Sequence, residues 1–287
     1  MLPEFDLVQP RSLEEALEAL AAENGRAVPL AGGTNLLVDL RARRTSADRV
    51  VSLAALDELR GIGRKDGRIA LGARTTLSEL LRHRLMAEEA PALVAATRVF
   101  GGAMVRNVAT VAGNVCYGSP AADLVPPLLT LDAEVVLASR EGTRAVPLDE
   151  FTTGVRQTVR RADELLTEIR WPALPPRSAN LFYKLGLRKG DAIAVAGAAV
   201  ALTAEAGTCS RARIALAAVA PVVKRAHDAE AILTGKTLTP AVIDEAARQA
   251  KAECSPIDDV RASAEYRRHV IEVLIRRLLA QAWDELD

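Results

Sequence analysis

The strand-like segments of this chain come in neighbouring pairs, and this pattern limits the possible folds more than any other feature. The segment "LRGIGRKDGRIALGA" predicts a hairpin that turns at Asp66 and Gly67, because Asp-Gly between two alternating runs is a strong hairpin signal. "AEVVLAS" (Ala133 to Ser139) and the following "GTRAVPL" predict a second antiparallel pair. Paired strands mixed with helices, without strict alternation, favour an α+β fold over a doubly wound parallel sheet.

Helix signals lie near both ends and in the middle of the chain. In "SLEEALEALAAENG", Ser12 and Glu15 predict a capping box at the start of a helix, and Gly25 predicts its end. A helical stretch follows over residues 75–100, with a break near Pro91. Three further helices are predicted at the end of the chain: near Val223 onwards, Pro240 to Ala252, and Ser263 to about Trp283.

The proline-rich segment "PALPPRSAN", from Pro172 to Asn180, is the clearest candidate linker. It divides the chain into an N-terminal part, residues 1–176, and a C-terminal part, residues 177–287. We expect the N-terminal part to contain two subdomains, at about 1–55 and 56–176. The C-terminal part would combine strands with the three last helices.

The composition excludes several classes of protein. Lys plus Arg and Asp plus Glu both number 37, so the basic surplus of a typical nucleic-acid-binding protein is absent. No apolar run reaches the ~18 residues of a membrane span, and the N-terminus lacks the pattern of a secretion signal, so we expect a cytoplasmic protein. The three cysteines and three histidines are scattered, which predicts neither a disulfide framework nor a metal site on this chain.

Two glycine-rich segments carry the main functional signal: "PLAGGTNLL" from Pro29 to Leu37, and "TVAGN" from Thr110 to Asn114. Such turns present several backbone N–H groups that no side chain blocks, and this suits a phosphate or pyrophosphate. Each alone could simply let the chain turn. Two similar turns in one chain are better explained by one ligand that bridges both, and a dinucleotide pyrophosphate is the natural candidate.

Asp123 is a lone carboxylate in the apolar stretch "GSPAADLVPPLL". It could be a helix cap or turn residue, or it could accept hydrogen bonds from ribose hydroxyls, as acidic residues do in other nucleotide sites. No Ser/His/Asp set, paired carboxylates or histidine lies near either glycine turn, so no catalytic residue is assigned. A dinucleotide site without an acid, base or nucleophile indicates that a cofactor performs the chemistry.

The two motifs resemble those of the FAD-binding medium subunit of the molybdenum hydroxylases, the group that includes aerobic carbon monoxide dehydrogenase and the xanthine dehydrogenases. They stand here as "AGGTNLLVDLR" (Ala31 to Arg41) and "TVAGNVCYGSPAADLVPPLLTLDAEV" (Thr110 to Val135). The similarity continues through "DELLTEIRWP" and "FYKLGLRKGDAIAVAG". The resemblance implies a two-subdomain FAD-binding fold of the vanillyl-alcohol oxidase type, followed by a C-terminal α/β domain.

The resemblance also implies cofactors, partners and residue roles. FAD would be bound by this chain, whereas molybdopterin and [2Fe-2S] clusters would belong to a large and a small partner subunit, and electrons would leave to NAD, a quinone or another acceptor. Asp123 would lie towards the ribose and adenosine, Leu166 and Lys184 would approach the flavin, and Phe100 would make a weaker contact. The pyrophosphate would be held by Leu30, Ala31, Gly32, Gly33, Thr34, Asn35 and Leu36, and by Thr110, Val111, Ala112, Gly113 and Asn114.

Some residues depart from the family pattern. Ala112 stands where glycine is usual, and we expect ordinary backbone angles there with the methyl group tolerated. Ile193 stands where some relatives carry an aromatic residue over the flavin. The relatives that insert an iron–sulfur loop are excluded because this chain lacks the cysteines.

Two alternative functions remain open at this stage. One is a stand-alone flavin oxidoreductase with its own substrate pocket, in which Lys184 and Asp191 are the candidate acid and base. The other is a structural subunit of an assembly that has lost its flavin.

Overall fold

The computed structural model describes residues 2–22, 26–188 and 190–286. Within these residues, strands form sheets of three, five and four strands together with a two-stranded ribbon, and helices pack on the larger sheets. This mixture of mostly antiparallel sheets and segregated helices confirms the predicted α+β class. No helix in these ranges is both long and apolar enough to cross a membrane.

The first sheet is parallel and has the strand order β1-β3-β2. Its elements are β1 (Asp6–Val8), α1 (Leu13–Ala21), β2 (Ala27–Leu30), α2 (Leu36–Arg41) and β3 (Arg49–Ser52). At the start of α1, the Ser12 hydroxyl accepts from the Glu15 amide at 3.2 Å. The Glu15 carboxylate, however, accepts from the Arg11 amide at 2.7 Å rather than from Ser12, so only half of the predicted capping box forms. The predicted end at Gly25 lies outside the described residues.

The second sheet is antiparallel, with the order β4-β5-β10-β6-β7. Its strands and the short ribbon are β4 (Ile62–Lys65), β5 (Arg68–Gly72), β6 (Glu134–Ser139), β7 (Gly142–Pro147), β8 (Thr152–Gly154), β9 (Gln157–Thr158) and β10 (Leu165–Pro172). Both predicted hairpins form. Asp66 and Gly67 have φ values of 50° and 74°, which is the left-handed conformation that the tight turn between β4 and β5 requires.

Short helices fill the connections around this sheet. They are α3 (Leu77–Arg82), α4 (Arg84–Glu89), α5 (Pro91–Arg98), α6 (Ala103–Arg106), α7 (Val111–Cys116), α8 (Val125–Thr130) and α9 (Leu148–Phe151). The predicted helical stretch over residues 75–100 breaks before Pro91 as expected, but it also breaks at His83, whose backbone is extended. Thr76 and Glu79 form a complete capping box at the start of α3.

The C-terminal part is a four-stranded antiparallel sheet covered by three helices. The elements are β11 (Ser178–Gly186), β12 (Ala194–Glu205), β13 (Thr208–Ala217), β14 (Lys224–Arg225), α10 (His227–Leu233), α11 (Pro240–Ala252) and α12 (Ala264–Asp284). The bounds of α11 are those predicted. The helix expected near Val223 begins instead at His227, because Lys224 and Arg225 pair with β13 as an edge strand.

Asp132 joins this C-terminal sheet to the preceding part of the chain. Its carboxylate accepts from Arg213 Nε at 2.9 Å, from Arg225 Nη1 at 2.8 Å, and from Arg211. Burial would raise the pKa of Asp132, but the hydrogen bonds from Arg213 and Arg211 outweigh burial and lower it. This ion-pair network joins β13 and β14 to the turn after α8, and β11 of the same sheet carries Lys184.

Candidate functional site

A cleft of about 450 Å³ opens between the loop that follows β2 of the first sheet, helix α7, and the start of β10 in the second sheet. This volume falls within the ordinary range of small-molecule sites, roughly 300–1,000 Å³. The cleft brings together most of the residues predicted to bind a cofactor, although they come from distant parts of the sequence. Its lining includes Leu30, Ala31, Gly32, Gly33, Thr34, Asn35, Leu36, Phe100, Thr110, Ala112, Gly113, Asn114 and Leu166.

The first glycine-rich segment runs from the end of β2 to the start of α2 and lines one wall of the cleft. The backbone N–H groups of Gly32, Gly33, Thr34 and Asn35 donate to no acceptor in the described part of the chain. Gly33 has φ of 70°, a conformation that favours glycine. Four adjacent N–H groups without internal partners form an arrangement that suits an anion.

The second segment is the first turn of helix α7 rather than the open turn expected from the sequence. The Thr110 hydroxyl caps this helix by accepting from the Gly113 amide at 3.0 Å. Ala112 lies within the helix and is not among the residues with positive φ, so its methyl group strains nothing, as expected. The Ala112 amide donates to no described residue and adds a further N–H to the cleft wall. Val111 is fully buried and does not line the cleft.

Gly32 holds the two segments together. A Cβ atom at Gly32 would lie 1.9 Å from the carbonyl oxygen of Val108 and 2.5 Å from its carbonyl carbon. Val108 lies just before the second segment, so the absence of a side chain lets the two backbones pack directly against each other. The relative position of the two predicted anion-binding segments therefore depends on Gly32.

Charged side chains that were not predicted from the sequence also line the cleft. They are Arg44, Arg156, Arg160 and Asp39. Three arginines and one aspartate leave two net positive charges in the lining. No histidine, glutamate or lysine is part of this lining among the described residues. The cleft is thus suited to bind an anion, and the other titratable side chains of its described lining are Tyr117 and Cys116.

Asp123 and Lys184 lie beside the cleft rather than in its lining. Lys184 Nζ is 2.5 Å from Asp123 Oδ2, and the two side chains are only 6% and 10% exposed. Lys184 also donates to the Val99 carbonyl oxygen at 3.4 Å, next to Phe100 in the lining. Burial raises the pKa of Asp123, while the Lys184 ammonium opposes this shift. Asp123 does not cap α8, whose N-cap is Leu124.

Glu164 fixes the segment that presents Arg160, Leu165 and Leu166 to the cleft. Its carboxylate accepts from Arg144 Nε at 2.6 Å and from the Arg161 amide at 2.7 Å. Burial would raise the pKa of Glu164, but the hydrogen bonds from Arg144 and the Arg161 amide outweigh burial and lower the pKa to about 2.

The low pKa of Glu164 predicts an acid-dependent stability. The Glu164 carboxylate of the unfolded chain binds a proton as the pH falls below about 4.5, whereas that of the folded chain does so only near pH 2. The stabilisation of the folded state is therefore complete above about pH 4.5 and is lost as the pH falls towards 2. We expect Glu164→Gln to reduce the free energy of unfolding by about 2 kcal/mol at neutral pH. Denaturant titrations should show this difference shrink between these two pH values. A deficit that is the same at every pH would contradict the assignment.

Two family models match this chain along nearly its whole length. The model described as "FAD binding domain in molybdopterin dehydrogenase" matches residues 3–174, and the model described as "CO dehydrogenase flavoprotein C-terminal domain" matches residues 181–282. The chain belongs to the FAD-binding subunits of the molybdenum hydroxylases. It is therefore the flavoprotein component of an oxidoreductase, as the sequence motifs predicted.

Similarity to individual members of the family supports this membership. The carbon monoxide dehydrogenase medium chain of Hydrogenophaga pseudoflava is 32% identical over 98% of both chains. The xanthine dehydrogenase FAD-binding subunit of Escherichia coli O157:H7 is 31% identical over 94% of this chain and 93% of its own length.

Solved structures show the same relationship. A chain of carbon monoxide dehydrogenase from Hydrogenophaga pseudoflava superimposes with a TM-score of 0.97 at 33% identity, covering 100% of both chains. A chain of quinoline 2-oxidoreductase from Pseudomonas putida 86 gives a TM-score of 0.92 at 29% identity, covering 99% of this chain and 98% of that one.

The cleft of this flavoprotein fits its family's cofactor. FAD carries two negative charges on its pyrophosphate, and the cleft supplies two net positive charges together with the unpaired N–H groups of its two glycine-containing segments. The gap between these segments is kept narrow because Gly32 has no side chain. The donor set therefore matches a dinucleotide, and the sequence-based expectation of FAD on this chain agrees with the geometry.

Proposed function

We propose that this chain is the FAD-carrying electron-transfer subunit of a molybdenum-containing hydroxylase. A large partner subunit would oxidise the substrate at a molybdopterin centre, and a small partner would carry [2Fe-2S] clusters. This chain would take electrons from those clusters and pass them to NAD, a quinone or another acceptor. We further propose that it works in the cytoplasm and consists of the FAD-binding domain, residues 1–176, and the C-terminal domain, residues 177–287.

The observation that carries the proposal is the match between the cleft and a dinucleotide pyrophosphate. Unpaired backbone N–H groups are costly to desolvate and gain most from an anionic acceptor. In the proposed complex, the segments from Leu30 to Leu36 and from Thr110 to Asn114 would hold the two phosphates. Arg160, together with the net charge left by Arg44, Arg156 and Asp39, would supply the balancing charge.

Phe100, Leu166, Asp123 and Lys184 are proposed to hold the flavin end of the cofactor. Lys184 contacts both Asp123 and the Val99 carbonyl oxygen, so this pair lies next to Phe100. The resemblance implied that Asp123 lies towards the ribose and adenosine and Lys184 towards the flavin. Because the two side chains touch, we propose instead that both serve the flavin end of FAD. Bound FAD supplies a group that accepts electrons singly and can release them as a pair. The residues of this chain would orient that group and exclude water from it.

The acid–base side chains of the described lining are paired or buried, which supports a division of labour between subunits. Substrate hydroxylation needs proton transfer. The described lining offers Asp39 and Tyr117, which are hydrogen-bonded to each other, and Cys116, whose thiol pKa burial raises to about 11. Asp39 is also paired with two arginines. A site of this kind suits the binding of a redox group better than the binding of an organic substrate. The names of the relatives, medium chain and FAD-binding subunit, support the same division.

The stand-alone oxidoreductase receives no support from its two candidate residues. The Lys184 ammonium is buried and paired with Asp123, so it is not free to exchange protons with a substrate. Asp191 is exposed and does not belong to the cleft lining.

Titration of the flavin-free recombinant chain with FAD tests the proposal. We expect one FAD to bind per chain, with the visible absorption band of an oxidised flavin and quenched flavin fluorescence. We also expect no reduction of the bound flavin by purines, aldehydes or N-heterocycles when the chain is alone. Failure to bind FAD, or substrate-driven reduction by the isolated chain, would contradict the proposal.

A further inference from the structure

Four side chains at the cleft, Asp39, Tyr117, Arg44 and Arg156, form a hydrogen-bonded cluster whose geometry the proposed roles do not use. The Asp39 carboxylate accepts from Tyr117 Oη at 2.9 Å and from Arg156 Nη1 at 3.2 Å. Arg44 Nη1 lies 3.5 Å from the other oxygen of the same carboxylate. The Arg156 guanidinium carbon lies 4.7 Å from the centroid of the Tyr117 ring. Asp39 is buried, whereas the Arg156 side chain is 44% exposed and lines the cleft.

The backbone holds Arg156 over the Tyr117 ring. Arg156 adopts φ of 59°, an unfavourable conformation for a residue other than glycine, in the turn between β8 and β9. Its amide donates to the Gly118 carbonyl oxygen at 2.8 Å, and a Cβ at Gly118 would lie only 3.1 Å from Arg156 Cα. Asp39 then fixes the guanidinium and the phenol together. Burial and the hydrogen bond to Asp39 raise the pKa of Tyr117, so its hydroxyl keeps its proton.

We propose that Arg156, stacked on Tyr117 and held by Asp39, forms the surface on which the adenine of the dinucleotide lies. This inference deepens the proposed function and rests on it. A flat guanidinium backed by an aromatic ring is a known type of platform for nucleobases, because each base presents a π-face to it. The cluster would make the site select a dinucleotide over a flavin mononucleotide.

The position and charge of the cluster favour a base over a phosphate. Arg156 and Arg44 already share the Asp39 carboxylate, which offsets much of their charge. The unpaired backbone N–H groups, which suit phosphate, lie in the glycine-containing segments instead. The flavin end is proposed to lie at Phe100 and the Asp123–Lys184 pair. Among the described residues, no hydrogen bond or ion pair links that pair to the Arg156 cluster. The cluster therefore remains for the adenosine half.

The variants Arg156→Gly and Arg156→Lys test the proposal. Glycine suits the left-handed backbone at this position, so Arg156→Gly removes the guanidinium without adding strain. Arg156→Lys keeps the positive charge but removes the flat stacking surface. We expect both variants to weaken FAD binding roughly 5- to 100-fold, the loss that follows removal of one base-stacking side chain. Flavin fluorescence quenching measures the dissociation constants.

Competition by the two halves of the cofactor locates the effect. ADP should lose about the same factor as FAD in both variants, whereas any measurable affinity for FMN should stay unchanged. Arg43→Gly is the matched control: Arg43 has φ of 54°, is exposed and lies outside the lining, so the variant changes charge and backbone in the same way. It should bind FAD like the unaltered chain.

Three results would overturn the inference. The first is full FAD affinity in Arg156→Lys, which would assign the effect to charge. The second is unchanged ADP binding in Arg156→Gly. The third is an equal loss of affinity for FMN and for FAD. Failure of the unaltered chain to bind FAD would instead refute the proposed function.

Discussion

Gly32→Ala should remove most of the flavin-binding capacity of this chain. The added methyl group would lie 1.9 Å from the Val108 carbonyl oxygen, which is far shorter than any normal contact. The oxygen is a backbone atom and the methyl carbon is bonded directly to the backbone, so neither can rotate away. The two anion-binding segments would have to separate, and the unpaired N–H groups would no longer converge on one pyrophosphate. We expect FAD to bind about 100-fold more weakly, a loss of about 3 kcal/mol. Overpacking of this kind should also lower the free energy of unfolding by about 1–3 kcal/mol.

Gly63→Ala provides the matched control for Gly32→Ala. Gly63 lies in β4, and a Cβ there meets nothing within 4 Å. This variant should retain FAD and stability. Equilibrium titration with FAD and thermal unfolding of the flavin-free proteins measure the two effects separately. If Gly32→Ala bound FAD as tightly as Gly63→Ala, the close approach of the two segments would not be what holds the cofactor.

Lys184→Met should destabilise the folded chain strongly. Lys184 and Asp123 form a buried ion pair at 2.5 Å that joins β11 to the segment before α8. Removal of one partner leaves the other charge buried without compensation, which typically costs about 3–5 kcal/mol. Because the pair lies next to the proposed flavin end of the cleft, FAD affinity should fall as well. Urea denaturation of the flavin-free variant measures the first effect.

The double variant Asp123→Asn/Lys184→Met separates loss of pairing from loss of packing. It should be more stable than Lys184→Met, because no uncompensated charge remains.

The pH dependence of the stability of Lys184→Met supplies a second check. Burial raises the pKa of Asp123, so with Lys184 gone the folded state takes up a proton more readily than the unfolded state. The deficit of Lys184→Met should therefore shrink as the pH falls through that raised pKa and be largest above it. A double variant no more stable than Lys184→Met would contradict this account.

The parts of the fold predicted from sequence are those specified by local signals. The Asp66-Gly67 turn, the strand pair around residues 134–147 and the bounds of α11 depend on turn residues, alternation and capping within one segment. Helices α2, α6, α7 and α8 have six residues or fewer, which is too short for a helical period to show. The edge strand β14 has two residues and exists because β13 offers it a partner.

The candidate site likewise has residues that the sequence predicts and residues that only the tertiary fold brings together. Glycine-rich segments can be recognised in the sequence, so the two segments that line the walls of the cleft were predicted. Arg44, Arg156 and Arg160 carry no motif, and only the tertiary fold brings them together with Asp39. Among the glycines, conformational preference singles out Gly33, with its φ of 70°, whereas the tighter steric requirement belongs to Gly32. That requirement arises from the backbone at Val108, 76 positions along the chain, and no local pattern encodes it.

Purification of the tagged chain from its native cells, under conditions that preserve complexes, tests the central claim most directly. The absorption spectrum, the metal content and the accompanying chains would be measured on the same sample. The account predicts FAD, iron and molybdenum together with a large and a small partner chain, and bleaching of the flavin band when a substrate of the complex is added. A chain that emerges alone, without flavin, or with FAD and a substrate-driven activity of its own, would contradict it.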